Sequence, residues 1–449
     1  MPGFRTVFLA TLLPALTLGV GACDDPNPEV REDPGGPAGA GGKADEINDT
    51  EPQPFGDVSF YPVDSVHSPL SADAVNNIRA IMDSGSGADD VFMSVGDSIT
   101  VASGNLRCFG GSNVELGVHA SLSDTLAFFR GGDAAGSDPF SRDPRSARVG
   151  KTAKWALSGS PSPVESELNA LRPSIALVQY GTNDMQFGSS YASALPGFYT
   201  NLGDLLDVLV DDGVLPVLFT IPPRLDSPSA RSWVPMYNLA IRGIAQSRSL
   251  PLVDLNLTLA DVPGHGLVGD GIHLGSAPSG ACDLSEDGLQ HAYNNRNAAA
   301  LTALDRVREA MRTGEAQDAP AIRAGDGTPV DPFVIETLPF VDAGDTEIRG
   351  STDVDRYDCS SANEGGAEVW YRLDLSERTT VRAMVVDAAP TDVDVHIVGE
   401  SLDGTGCVAR NDRLVEVTLD AGVHHIAVDT FVSSGTPRSG EYLLMLAEI

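Results

Sequence analysis

Four short apolar runs set among segments of helical period constrain this chain more than any other feature. Val91-Phe92-Met93-Ser94-Val95, Ile175–Tyr180, Leu215–Ile221 and Leu252–Leu255 have the length of strands and are too apolar to leave one face in water. Around them, Ala74, Ile78, Ile81 and Met82 follow helical spacing over Ser71–Met82, with Ser71 as cap. Val164–Leu171 is a short helix closed by Arg172-Pro173. Leu195–Val210, with Pro196 in its first turn, and Trp233–Ser247 are two more, and Ser285–Met311 is a long closing helix. Strands alternating with helices predict an α/β domain whose parallel sheet is covered on both faces.

Near Arg312 the period changes to two. Thr380–Val386, Asp392–Val398, Leu414–Leu419, His424–Val428 and Tyr442–Leu446 alternate, with Asp403-Gly404 and Ala421-Gly422 as turns. These runs predict a small all-β sandwich. The α/β domain is therefore expected over 56–312, a Gly-, Pro- and Asp-bearing linker over 313–336, and the sandwich over 337–449.

The N-terminus sets the compartment. Arg5 precedes the apolar stretch Val7–Val20, which is too short to span a bilayer. It ends in Val20-Gly21-Ala22-Cys23, a sequence that resembles a bacterial lipobox. The resemblance implies that 1–23 is a signal segment, with lipid on Cys23 as membrane anchor, and that the chain is exported and held at the cell envelope. Residues 24–55, rich in Gly, Pro, Asp and Glu, are expected to be a disordered tether. The other four cysteines, in an exported chain, imply two disulfides. They fall in two regions, so the expected pairs are Cys108–Cys282 and Cys359–Cys407.

Asp and Glu number 63 against 29 Lys and Arg, a formal net charge of −34, which argues against a nucleic-acid partner. The 42% hydrophobic content allows large cores.

The first run ends in Gly96-Asp97-Ser98-Ile99-Thr100, placing a serine at the carboxyl end of a strand, where open α/β sheets carry their chemistry. A serine hydroxyl needs a base to take its proton and an acceptor to hold that base in one tautomer. Asp270-Gly271-Ile272-His273 offers both from one turn: a carboxylate three residues before an imidazole can accept from Nδ1–H and leave Nε2 for a nucleophile elsewhere. Gly181-Thr182-Asn183-Asp184 offers a side-chain amide at the same sheet edge, and the loop Arg148-Val149-Gly150-Lys151 offers a backbone N–H. Such donors stabilise a developing oxyanion.

These four blocks, in this order, resemble the signature of the SGNH, or GDSL-type, hydrolases over roughly Asp90–Arg312. The second block is the weakest, since Gly131 and Gly132 are rivals to Gly150. The resemblance implies a three-layer α/β/α flavodoxin-like fold. It also implies Ser98 as nucleophile, His273 as general base and then acid, Asp270 as its orienter, and an oxyanion hole from the Ser98 and Gly150 N–H groups and the Asn183 side chain. Asp97 and Asp184 read as local turn braces, and the long segment Asn105–Arg148 reads as part of the substrate wall. No cofactor and no metal are implied.

Leu338-Pro339-Phe340, Asp355-Arg356-Tyr357-Asp358-Cys359, Glu368–Leu373 and Ala421–Asp429 are similar to the bacterial pre-peptidase C-terminal type of β-sandwich, which implies an accessory role.

Three decoys drop out. Gly150-Lys151-Thr152 copies the tail of a P-loop, but Arg145 stands where the leading glycine belongs and no strand precedes it. Asp353-Val354-Asp355 with Glu364 hints at a calcium loop, yet Tyr357 and Asp358 hold positions that need an oxygen ligand and a glycine. Neither a Gly-x-Ser-x-Gly elbow nor a His-Glu-x-x-His motif occurs.

The expected function is hydrolysis of short-chain or carbohydrate O-acyl esters, with a small or polymeric substrate that includes polysaccharide. The rival is a non-catalytic surface lipoprotein that binds glycan.

Overall fold

The structure is a computed structural model and describes residues 60–449. The signal segment 1–23, the lipidation at Cys23 and the tether 24–55 lie outside the described residues.

Helix α1 (Ala72–Ser84) starts where Ser71 Oγ accepts from the Ala74 N–H, and leads into strand β1 (Ala88–Gly96). The helices that follow are α2 (Ser98–Val101), α3 (Ser123–Arg130), α4 (Ala153–Ala156) and α5 (Pro163–Leu171). Then come β2 (Pro173–Gln179), α6 (Tyr191–Asp211), β3 (Leu215–Phe219), α7 (Pro228–Ser247), β4 (Leu252–Val253), α8 (Leu255–Thr258) and α9 (Ala292–Thr313).

The strands form one parallel sheet in the order β1-β2-β3-β4. On the free side of β1, residues 146–148 run parallel to it for a single bridge. Gly96 N–H donates to Ser146 O and Arg148 N–H to Gly96 O. The chain thus leaves β1 in one lateral direction and reaches β2 in the other, so the sheet reverses its strand order beside Gly96. Right-handed crossovers put helices made in opposite directions on opposite faces. Accordingly α1, α3 and α9 pack together on one side, and α4 to α7 on the other. This is the three-layer α/β/α arrangement.

Several element ends differ from the sequence reading, each for a local reason. Helix α6 begins four residues early because Ser190 and Ser193 cap it reciprocally, which moves Pro196 beyond the first turn. Helix α7 begins at Pro228, capped by Ser227. Helix α9 begins at Ala292 and not at Ser285. A Cβ on Gly288 would lie 1.9 Å from the Asp283 carbonyl, a contact only the tight turn before the helix makes. The segment Asn105–Arg148 includes α3, whose Phe129 meets Phe92 of β1 edge-on at 5.6 Å. This part of the crossover covers β1.

The C-terminal part begins inside the expected linker, with β5 (Phe333–Ile335) already paired to the sandwich. It continues through β6 (Phe340–Asp345), α10 (Thr346–Arg349), β7 (Glu368–Leu375), β8 (Thr379–Asp387) and β9 (Val393–Val398). Then follow β10 (Cys407–Asn411), β11 (Leu414–Leu419), β12 (Gly422–Thr430), the short hairpin β13 (Val432–Ser433) with β14 (Thr436–Pro437), and β15 (Glu441–Glu448). Two sheets, β10-β9-β12-β7-β5 and β11-β8-β15-β6, enclose a core that includes Tyr371, Val395, Ile426 and Leu444.

The outer face of the second sheet is covered in part by the α/β domain. Val341, Met384, Leu443 and Met445 join the core of the α/β domain against α7. A Cβ on Gly243 of α7 would lie 2.2 Å from Leu443 Cδ1, so helix and sheet touch at a glycine. Arg382 stands over the Trp233 ring at 3.9 Å and donates to Ser232 O at 2.6 Å. The sandwich is fused to the α/β domain through a shared apolar seam.

Candidate active site

Ser98 is the first residue of α2, and Asp97 caps that helix, its Oδ1 accepting from Ile99 N–H at 3.0 Å. The turn is tight enough that a Cβ on Gly96 would lie 2.1 Å from Thr100 Oγ1 and 2.7 Å from the Gln179 carbonyl. A glycine is needed there so that the nucleophile turn can lie against β2. Beneath it, Tyr293 of α9 donates from its hydroxyl to Ile99 O at 3.0 Å. Arg296, fully buried, donates to Gln179 Oε1 and to Asn105 Oδ1, and Asn105 in turn donates to Thr100 O.

The last block comes from the loop before α9. Asp270 Oδ1 accepts from both the Ile272 and His273 N–H groups, while its Oδ2 accepts from His273 Nδ1 at 2.7 Å. Those bonds, the His273 N–H foremost, hold the carboxyl down at about 2, so it is ionised at neutral pH. His273 Nε2 then faces Ser98 Oγ at 2.9 Å. Gly271 makes the turn possible. Its φ is +70°, and a Cβ there would lie 2.8 Å from the Asp226 nitrogen. The His273 and Asp270 side chains are 41% and 47% exposed, so the dyad stands on an open face.

Asn183, just past β2, is brought to the same edge. Its Nδ2 donates to Asp97 Oδ2 and to Lys151 O, both at 3.1 Å. Gly150 lies between Arg148, which is bonded to Gly96, and Lys151, which is bonded to Asn183. Nothing stands within 4 Å of where its side chain would be, and neither its N–H nor that of Ser98 donates to a protein acceptor. The rival glycines sit elsewhere. Gly131 closes α3, and Gly132 abuts the Asp90 carbonyl, six residues upstream of Gly96 on β1.

Asp97 and Asp184 brace more than their own turns. Asp97 ties the serine turn to Asn183, and Asp184 accepts from Gly181 N–H and from Ala153 N–H, joining the Asn183 turn to α4. Burial raises both, Asp97 to about 6 and Asp184 to about 7, against the pull of those hydrogen bonds.

A further support was not singled out from the sequence. Arg224, in the loop after β3, donates to Thr182 O and pairs with Asp226, and Leu225 N–H donates to Gly271 O. This loop couples the Asn183 turn to the His273 turn. Its one signal is Pro222-Pro223-Arg224 directly after an apolar run, at the edge where the other blocks cluster.

Residues 94–277 match the sequence profile of the GDSL-like lipase/acylhydrolase family. The α/β domain is a GDSL-type serine hydrolase. No curated protein sequence matches the chain. Among solved structures, a GDSL-like lipase from Bacteroides thetaiotaomicron is similar at 13% identity, over 52% of this chain and 98% of that one, with a TM-score of 0.30. A carbohydrate esterase of family 3 from Talaromyces cellulolyticus is similar at 20% identity, over 48% and 98%, with a TM-score of 0.32. An acetylxylan esterase from Geobacillus stearothermophilus, a catalytic mutant, is similar at 16% identity, over 49% and 95%, also at 0.32. The GDSL-type domain acts on ester bonds. Both cysteine pairs are disulfides, Cys108–Cys282 tying the crossover to the loop after His273 and Cys359–Cys407 lying in the sandwich. No helix among the described residues is long and apolar enough to cross a membrane.

Proposed function

We propose that the protein is a cell-envelope esterase that cleaves short-chain or carbohydrate O-acyl esters through an acyl-enzyme on Ser98. The observation that carries the reading is the line Ser98 Oγ–His273 Nε2–His273 Nδ1–Asp270 Oδ2, at 2.9 and 2.7 Å. His273 takes the Ser98 proton as Oγ attacks the ester carbonyl, and Asp270 holds the imidazolium that forms. The tetrahedral oxyanion is met by the Ser98 and Gly150 N–H groups. Asn183 joins them by turning one Nδ2 hydrogen away from Lys151 O or Asp97. His273 then gives its proton to the leaving alcohol, the acyl group stays on Ser98, and a water deprotonated by His273 releases the acid.

The openness of the dyad supports the substrate class. A long acyl chain is held by enclosing it in apolar walls, whereas His273 and Asp270 stand about half exposed, within reach of an ester on a polymer. The apolar Val7–Val20 and the run Val20-Gly21-Ala22-Cys23 support attachment through lipid on Cys23.

The test is release of p-nitrophenol from acetate, butyrate and decanoate esters by the fragment that begins after Cys23, beside Ser98→Ala. Turnover should favour acetate and fall by about 10³-fold or more in the variant. Full activity in a folded Ser98→Ala protein would overturn the assignment.

A further inference from the structure

The sandwich sheet β10-β9-β12-β7-β5 has one face in the core. Strand alternation on β9 sends Val393, Val395 and Ile397 into that core, and Asp394 and His396 to the opposite face. Residues 351–366 cover this second face. They lay Val354 and Tyr357 onto it beside Trp370, Val398 and Ala427, and the Cys359–Cys407 disulfide pins them to β10. Under the cover, Glu364, Asp394 and His396 are 0%, 6% and 0% exposed, and one donor atom from each lies within 4.8 Å of the others.

The hydrogen bonding there is incomplete. Neither ring nitrogen of His396 has a partner, and Glu364 Oε2 has none. His396 Nε2 points at Glu364 Oε1 from 3.9 Å, too far for a hydrogen bond. Tyr357 stacks on the imidazole at 3.8 Å and gives it nothing polar. The local cation is Arg410, whose Nη2 donates to Glu364 Oε1 at 3.0 Å and also to Asp394 Oδ2. It reaches in from the rim, 27% exposed. Buried polar atoms are ordinarily paired, so orphans on two neighbouring side chains point to a missing partner.

We propose that Glu364, Asp394 and His396 bind one divalent transition cation of the zinc type. One imidazole nitrogen and two carboxylate oxygens, with water as fourth ligand, suit zinc, whereas calcium calls for six to eight oxygens. The site binds by a small contraction, since zinc ligands stand roughly 3–4 Å apart. Burial raises both carboxyl groups. Burial lowers His396 to about 3, so a ring lone pair is free near neutrality. Arg410 turns outward to the water it already touches. The ion then ties the covering segment to β9, beside the disulfide.

The test uses the full-length chain after treatment with a chelator. Zn²⁺ is titrated calorimetrically and Co²⁺ by its visible absorption. One ion per chain is expected, with a Co²⁺ spectrum of low-coordinate nitrogen–oxygen type and a higher Tm with metal. His396→Gln should weaken binding by about a hundredfold or more, with ester hydrolysis unchanged, because the serine site lies in the other domain. Arg410→Gln, which removes the competing cation, should tighten binding by about tenfold. Absence of stoichiometric binding overturns the proposal, as does unchanged affinity in His396→Gln. Should that variant fail to fold, unchanged or weaker binding in Arg410→Gln overturns it.

Discussion

In the α/β domain, Arg296 is fully buried yet donates to Gln179 and Asn105, and Arg224 is as deeply placed and donates to Thr182 and Asp226. In the sandwich, His396 is equally buried and has no partner for either nitrogen. The contrast is general. Within 60–312, Thr100 Oγ1 and Gln246 Nε2 are the described buried side-chain atoms without a partner, and all the others fall between Arg323 and Asp429. The hydrolase domain spends its buried polar groups on fixing three loops to a tolerance that proton transfer requires. The sandwich gathers acids under a loop and holds them with one arginine from the rim.

The largest effect expected from this contrast is on the hydrolase side. Asp270→Asn leaves the turn nearly isosteric but favours the wrong His273 tautomer. Ester turnover should fall by about 10²–10⁴-fold in steady-state kinetics, with little change in Tm. A loss under threefold would mean that the open dyad does not depend on its carboxylate.

On the sandwich side, Cys359→Ser with Cys407→Ser opens a tie across 48 residues. Loop-closure entropy assigns it about 4 kcal/mol. Denaturant unfolding should show that loss together with an early transition confined to the C-terminal part. A single transition at unchanged midpoint would show that the seam with α7 alone secures the sandwich.

The paired acids of the hydrolase site still leave a pH signature. Asp97 and Asp184 have folded values near 6 and 7, above the unfolded value of 3.8. The native state therefore holds protons that the unfolded chain has lost. Stability from these groups is full below about pH 4 and is lost as pH rises through 6 to 7. Asp97→Asn should remove a share of about 3 kcal/mol at most, seen as a flatter stability curve between pH 4 and 6. An unchanged curve would show that Asp97 is ionised throughout.

The smallest effect belongs to the rim. Phe187, 70% exposed just past the Asn183 turn, buries little. Phe187→Ala should change stability by less than about 0.5 kcal/mol and raise KM a few-fold for esters that reach across the site. Unchanged KM for every ester would place the substrate on another side.

The blocks that meet beside Gly96 were legible because each supplies a fixed residue type in a short window. A carboxylate three residues before an imidazole and a serine after an apolar run can be read without knowing the fold. The crossover role of Asn105–Arg148 was not legible. What turns it into a cover for β1 is Phe129 and Phe140 meeting Phe92, contacts between residues distant along the chain. The same holds for the Arg224 loop, where Arg224 donates to Thr182 O and Leu225 N–H to Gly271 O, on loops that follow and precede other elements.

By itself, then, the sequence determined the two fold classes, because periods of 3.6 and 2 decide which side chains share a face. It also determined the residue types at the site and the grouping of the cysteines. Tertiary structure alone decided the order of strands beside Gly96 and the placing of Gly150, between Arg148 and Lys151, near Asn183. It also decided the seam between α7 and β15 and the meeting of Glu364 with Asp394 and His396. Each of these depends on which distant segments are brought within a few ångströms, and local period carries no information about that.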